Sequence, residues 1–129
     1  MDEYIADTHA LIWYLGGSER LGNEARTIFD SAIAGESLIL IPAIVVAELM
    51  MFAEKHKTIE PDKIVSELRS KSGFQFLALL PETAAKIKDF PSLPDIHDRL
   101  IVAETVLQGA TLITFDKAIT ASGLVNVIW

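Results

Sequence analysis

Leu38-Ile39-Leu40-Ile41-Pro42-Ala43-Ile44-Val45-Val46-Ala47-Glu48-Leu49-Met50-Met51-Phe52-Ala53 is the longest apolar stretch of the chain. It is shorter than the roughly 20 residues a membrane-spanning helix needs, and Pro42 and Glu48 interrupt it. It reads as a buried strand followed by a core helix. Short apolar runs and helical patterns alternate in the same way on both sides of it. Strands are expected near 3–6, 38–41, 75–80, 111–115 and 124–128, and helices near 8–15, 21–34, 43–55, 61–71, 82–89 and 96–108. That order predicts an α/β fold, with a central parallel sheet of about five strands flanked by helices. Gly16-Gly17 follow the first helix, Gly35, Gly73 and Gly109 precede the second, third and fourth strands, and Gly123 marks the turn into the last.

His56 to Asp62 and Phe90 to Pro94 read as loops, and there is no repeat, low-complexity tract or linker. With 129 residues and 50% hydrophobic content, one domain spanning residues 1–129 is expected. The absence of cysteine removes a disulfide framework and a thiolate metal site. Asp2 and Glu3 stand where a signal peptide would carry basic and apolar residues, so the cytoplasm is the expected compartment and no membrane partner is expected. A net charge of -7 lacks the basic footprint of a protein that holds nucleic acid by phosphate neutralisation alone. Two divalent cations held by four acids would change it to -7 + 4 = -3, so an anionic substrate stays compatible with the composition.

Four acids stand where hydrocarbon would otherwise run on. Asp7 follows Tyr4-Ile5-Ala6, Glu48 interrupts the long apolar stretch, Asp98 opens the segment Leu100-Ile101-Val102-Ala103, and Asp116 follows Thr111-Leu112-Ile113-Thr114-Phe115. Carboxylates at such positions are costly unless something compensates them. In open parallel sheets the ligand site lies beyond the carboxyl ends of the strands, so Asp7 and Asp116 are expected to converge at a topological switch point. Asp98 enters the same region from a helix N-terminus and Glu48 from a helix wall. An all-carboxylate set suits Mg²⁺ or Mn²⁺ better than zinc, which makes phosphoryl chemistry the natural hypothesis.

Each residue also has a structural alternative. Asp7 ends a strand while Thr8 caps the following helix. Glu48 pairs with a buried arginine or faces a solvent gap, and Asp116 caps a short terminal helix. Asp95 and Asp98 have the spacing of N-cap and N3 positions, so Asp95 is either an outer site member or a cap. Thr114 supports the site by its hydroxyl or is simply a β-branched strand residue. Arg99 binds substrate phosphate or pairs with a nearby acid. His9 and His97 are not read as metal ligands, and Trp13, Tyr14, Met50, Met51 and Phe52 read as core or dimer-contact faces.

Four segments resemble the PIN-domain nucleases, and particularly the VapC-like toxins of toxin–antitoxin pairs. They are Tyr4-Ile5-Ala6-Asp7-Thr8-His9-Ala10-Leu11-Ile12-Trp13, Ile44-Val45-Val46-Ala47-Glu48-Leu49, Asp95-Ile96-His97-Asp98-Arg99-Leu100-Ile101-Val102-Ala103-Glu104-Thr105 and Leu112-Ile113-Thr114-Phe115-Asp116, in the family's order. The resemblance implies a Mg²⁺- or Mn²⁺-dependent endoribonuclease with Asp7, Glu48, Asp98 and Asp116 as its acidic quartet. It also implies a small antitoxin partner and a homodimer. Leu93-Pro94-Asp95-Ile96-His97 and Phe115 depart from the family's more basic or polar pattern, which bears on RNA contacts rather than on the quartet. The rivals are a receiver-like Mg²⁺-binding signalling domain, disfavoured because Asp7 lacks a paired acid and Leu79-Leu80-Pro81 carries none, and a catalytically silent interaction module.

Overall fold

The computed structural model describes residues 2–129. Five strands, β1 (Glu3–Ala6), β2 (Leu38–Pro42), β3 (Phe74–Leu77), β4 (Thr111–Ile113) and β5 (Val127–Ile128), form one sheet in the order β3-β2-β1-β4-β5. Every pairing is parallel, with Ile5 opposite Leu40 and Leu112, and Ile113 opposite Ile128. The helices are α1 (Thr8–Leu15), α2 (Asn23–Ile33), α3 (Ala43–Lys55), α4 (Pro61–Arg69), α5 (Pro81–Lys86), α6 (Ile96–Gln108) and α7 (Lys117–Ser122), with a 3₁₀ turn at Ile87–Asp89. The α/β class and five-stranded parallel sheet are thus as expected. Ile5, Ala6, Ile39, Leu40, Ile41, Leu112 and Ile113 are buried, the pattern of strands covered on both faces. Receiver domains place their strands in a 2-1-3-4-5 order, so this sheet separates the chain from that rival.

Four local expectations need correction. The expected strand 75–80 ends at Leu77, because its partner β2 ends opposite it at Pro42, where α3 begins; Leu80, extended before Pro81, then leads into α5. Leu79 and Leu80 are left 46% and 54% exposed. The single helix expected near 82–89 is α5 followed by the 3₁₀ turn. The last strand is only Val127–Ile128, and α7, absent from the expected helices, fills part of the preceding span and ends at Gly123 with φ 67. The core helix expected after Pro42 exists, but α3 buries only Val45 and Leu49 and leaves Met51 64% exposed. One stripe of an outer helix faces the rest of the fold, however apolar the other side chains are.

The core is one hydrophobic cluster around the sheet, with Phe29 of α2 between the rings of Tyr14, 4.5 Å away, and Phe74, 6.4 Å away. Gly73 makes the approach of α2 to β3 possible: a Cβ there would stand 1.8 Å from the carbonyl oxygen of Ala32. Among the described residues no helix is long and apolar enough to cross a membrane.

Candidate active site

The strand order reverses direction at β1, whose neighbours are β2 on one side and β4 on the other. The gap beyond the carboxyl ends of β1 and β4 is where ligands sit in open sheets of this kind. A cleft of about 440 Å³ lies there, and Asp7, Glu48, Asp95, Asp98 and Asp116 all line it, with Thr8, His9, Trp13 and Phe115.

Asp7 is fixed from three directions. Its backbone N–H donates to the Ile113 carbonyl at 3.1 Å, continuing the β1–β4 ladder. Its Oδ1 accepts the Ala10 N–H at 2.8 Å and so caps α1, while Oδ2 accepts the Thr114 hydroxyl. The cap of α1 is therefore Asp7 and not Thr8. Thr8 instead donates its hydroxyl to Glu48 Oε1 at 2.7 Å, tying α1 to α3. Glu48 Oε2 stands 3.3 Å from His97 Nδ1, so the partner of Glu48 is neither a buried arginine nor solvent alone.

Asp116 caps α7 through Oδ1, which accepts the Ile119 N–H at 2.8 Å, and its own N–H donates to Thr114 Oγ1 at 3.0 Å. Thr114, buried just past β4, thus orients both Asp7 and Asp116 with one hydroxyl. Asp95 caps α6, its Oδ1 accepting from the His97 N–H at 2.7 Å and the Asp98 N–H at 3.4 Å. Capping and cleft lining, set against each other for Asp95 and Asp116, coincide in both, and in Asp7 as well. In Asp95 and Asp116 the cap engages Oδ1 alone, whereas in Asp7 Oδ2 also accepts the Thr114 hydroxyl.

These placements create a field. The Asp98 carboxyl is raised to about 6, first by burial and then by the charges of Asp116, Asp95, Glu48 and Asp7, in that order. Burial also raises Asp7, against the opposing effects of the Thr114 hydroxyl, the Ala10 N–H and His9, with Asp116 adding to the rise. Acids that displace one another's ionisation lie within mutual Coulombic reach. Burial alone is not the distinguishing mark: Glu104 is buried and raised too, but it is held by Gln108 and Thr83 and does not line the cleft.

Among the described residues, no three His, Cys, Asp or Glu side chains stand in a ready-made metal-binding arrangement. Like charges sharing a cleft relax apart, and a cation is what would draw them together. The donor set fits a hard divalent ion, being wholly carboxylate and hydroxyl oxygen apart from the flanking His9 and His97.

Arg99 does not reach the cleft. Its guanidinium donates through Nε to the Leu93 carbonyl and through Nη2 to the Pro91 carbonyl at 3.3 Å, pinning the loop that delivers Asp95. Arg99→Ala should therefore lower stability by about 1–2 kcal/mol, the value of charge-assisted hydrogen bonds to a partly buried loop. Urea unfolding of the variant would check this, and an unchanged midpoint would mean that the loop holds without it. Thr8 and His97 are the contributors that sequence reasoning missed. The available signal was position: Thr8 adjoins Asp7, and His97 shares the first turn of α6 with Asp98.

The fold has close counterparts among solved structures, all of low sequence identity. A toxin–antitoxin complex from Klebsiella pneumoniae matches with a TM-score of 0.71 at 22% identity, over 98% of this chain and 96% of that one. VapBC2 from Rickettsia felis, bound to a DNA fragment from its promoter, matches at 0.70 and 16% identity, over 98% and 97%. The sarcin–ricin loop cleaving toxin VapC20 of Mycobacterium tuberculosis matches at 0.71 and 14% identity, over 96% and 98%. No curated protein matches the chain. The PIN domain family model matches residues 4–122, a span that contains β2, β3, β4, all of β1 but Glu3, all seven helices and all five cleft acids, and the chain belongs to the PIN domain family.

Proposed function

We propose that the chain is a divalent-metal-dependent endoribonuclease, the toxin of a toxin–antitoxin pair acting in the cytoplasm, with Asp7, Glu48, Asp98 and Asp116 as its reactive set. The observation that supports this is the gathering of these four carboxylates, with Asp95 beside them, around one cleft at the switch point of a PIN-domain sheet. Those residues would hold Mg²⁺ or Mn²⁺. Such an ion supplies charge neutralisation on the phosphodiester and a more acidic attacking water.

The chain's own part is to position. Thr114 keeps Asp7 and Asp116 at a fixed separation, and Thr8 keeps Glu48 turned toward them. The N-terminal ends of α1 and α6 offset part of the cost of assembling negative charge. Uncompensated, the cleft of a chain of net charge -7 repels a phosphodiester, so substrate approach and cation binding are coupled.

An antitoxin partner is supported by the toxin–antitoxin complexes among the structural neighbours, and RNA as substrate by the neighbour described as a sarcin–ricin loop cleaving toxin. A homodimer belongs to the same proposal on the family likeness. Purified protein incubated with single-stranded and stem-loop RNA should cut only when Mg²⁺ or Mn²⁺ is present. Cleavage that persists in chelator would sink the mechanism, and no cleavage with any divalent ion would leave a silent interaction module as the better account.

A further inference from the structure

Phe115 is a large apolar side chain left 56% exposed on the rim of an acidic cleft. Its ring is not loose. It stacks on Trp129, with centroids 5.2 Å apart and planes inclined by 29°. Trp129 meets Trp13 edge-on at 5.7 Å and 71°, and Trp13 in turn lies 5.6 Å from the ring of His9. The arrangement is anchored at Gly22, where a Cβ would stand 2.3 Å from the Trp129 carbonyl carbon and 2.6 Å from its Cδ1. Only glycine admits Trp129 at that depth.

The rings are not equivalent as surfaces. The Arg20 guanidinium lies over Trp13, 5.8 Å from the ring centroid, which engages one of its faces. Trp129 is backed by Gly22 and Trp13. Phe115 has one ring face supported by Trp129 and much of the remainder open to solvent. It is also the residue immediately before Asp116, and the two side chains line the same cleft.

From this placement, and resting on the nuclease reading above, we infer that Phe115 is a stacking platform for an unpaired nucleobase of the RNA next to the scissile phosphodiester. A flat, rigid, open π-face suits a base, which in a duplex is already stacked between its neighbours and in a single strand is available. The occupant is therefore single-stranded or looped RNA, recognised by base stacking on Phe115 while the acids address the backbone. Sequence selectivity at that nucleotide follows ring size, purine above pyrimidine, because stacking reads area and not hydrogen-bond pattern.

The test is steady-state cleavage of a short single-stranded RNA in Mg²⁺ or Mn²⁺ by wild type, Phe115→Ala, Phe115→Tyr and Gly22→Ala. Tryptophan fluorescence is recorded alongside, since both tryptophans of the chain belong to the ring cluster. Phe115→Ala should raise KM roughly ten- to hundredfold with little change in kcat, and Phe115→Tyr should restore it. Gly22→Ala should weaken binding by displacing Trp129. An abasic nucleotide at one position of the RNA should reproduce the loss in wild type and add nothing in Phe115→Ala. An unchanged KM in Phe115→Ala overturns the platform, as does a variant whose only defect is a changed sedimentation coefficient, which would make the ring a contact between copies. If wild type cuts no RNA, the nuclease reading fails by itself; quenching by the oligomer that depends on Phe115 would still support stacking, and its absence would overturn that as well.

Discussion

Asp7→Asn should reduce divalent-ion-dependent RNA cleavage by about 10³-fold or more, the loss expected when several kcal/mol of charge stabilisation disappear from a transition state. The substitution is nearly isosteric and leaves the helix cap intact. Asparagine is as good an N-cap as aspartate, so its Oδ1 keeps the Ala10 N–H and α1 starts where it did. What changes is the second atom. An amide nitrogen in place of Oδ2 can no longer accept the Thr114 hydroxyl, and it brings no negative charge to the cleft. Asp98→Asn should lose a comparable amount, whereas Asp95→Asn should lose less, because capping the His97 and Asp98 N–H groups needs only an oxygen acceptor. Cleavage rates measured beside circular dichroism spectra separate the chemistry from folding. Activity within tenfold of wild type in Asp7→Asn, at unchanged structure, would remove this residue from the reactive set. A larger loss in Asp95→Asn than in Asp98→Asn would exchange their roles.

In the absence of metal, Asp98→Asn should make the protein more stable at neutral pH. The Asp98 carboxyl is raised from its ordinary 3.8 to about 6, first by burial and then by Asp116, Asp95, Glu48 and Asp7. An acid whose folded-state pKa is raised binds more protons folded than unfolded across that interval, so stability falls as pH rises from about 4 to about 6 and stays reduced above it. That displacement corresponds to roughly 3 kcal/mol as an upper bound. Solvent screening of a half-open side chain lowers it to roughly 1–2 kcal/mol. A contrary effect is small: Asp98 sits in the first turn of α6, where losing a negative charge costs a few tenths of a kcal/mol or somewhat more. The gain should therefore be seen at pH 7–8 in chelator and vanish near pH 4. Mg²⁺ or Mn²⁺ should reverse the ranking, raising the wild-type Tm by mass action and the variant's by less. Thermal melts across pH and across a metal titration at fixed ionic strength decide the matter. A variant destabilised in chelator with the same metal response as wild type would show Asp98 to be a helix-end residue and no part of a shared cation site.

The class of fold, and where carboxylates stand relative to its elements, follow from residue order and chemistry alone. Alternating apolar runs and helical periods require a parallel sheet, because strands such as Leu38–Pro42 that are apolar on both faces must be covered on both, and only crossover helices do that. Asp7 and Asp116, each following a strand, were bound to emerge at the same end of a parallel sheet. That they converge was expected from the rule for open parallel sheets; which strand stands beside β1 was not legible, because β4 pairing with β1 rather than with β3 is a contact between segments about a hundred residues apart. The same limit hid the bonds that arm the site. Thr114 reaching Asp7, Thr8 reaching Glu48 and His97 facing Glu48 all join residues from different elements, and local pattern carries no information on such pairs. Element ends went astray for a related reason. A two-residue strand such as Val127–Ile128 exists only because β4 offers it a partner, and α7 is a six-residue helix held by the Asp116 cap. Periodicity and residue chemistry are written along the chain, whereas the convergence of five acids and the seating of Trp129 against Gly22 are properties of the packed sheet and helices, fixed only when distant segments exclude water from one another.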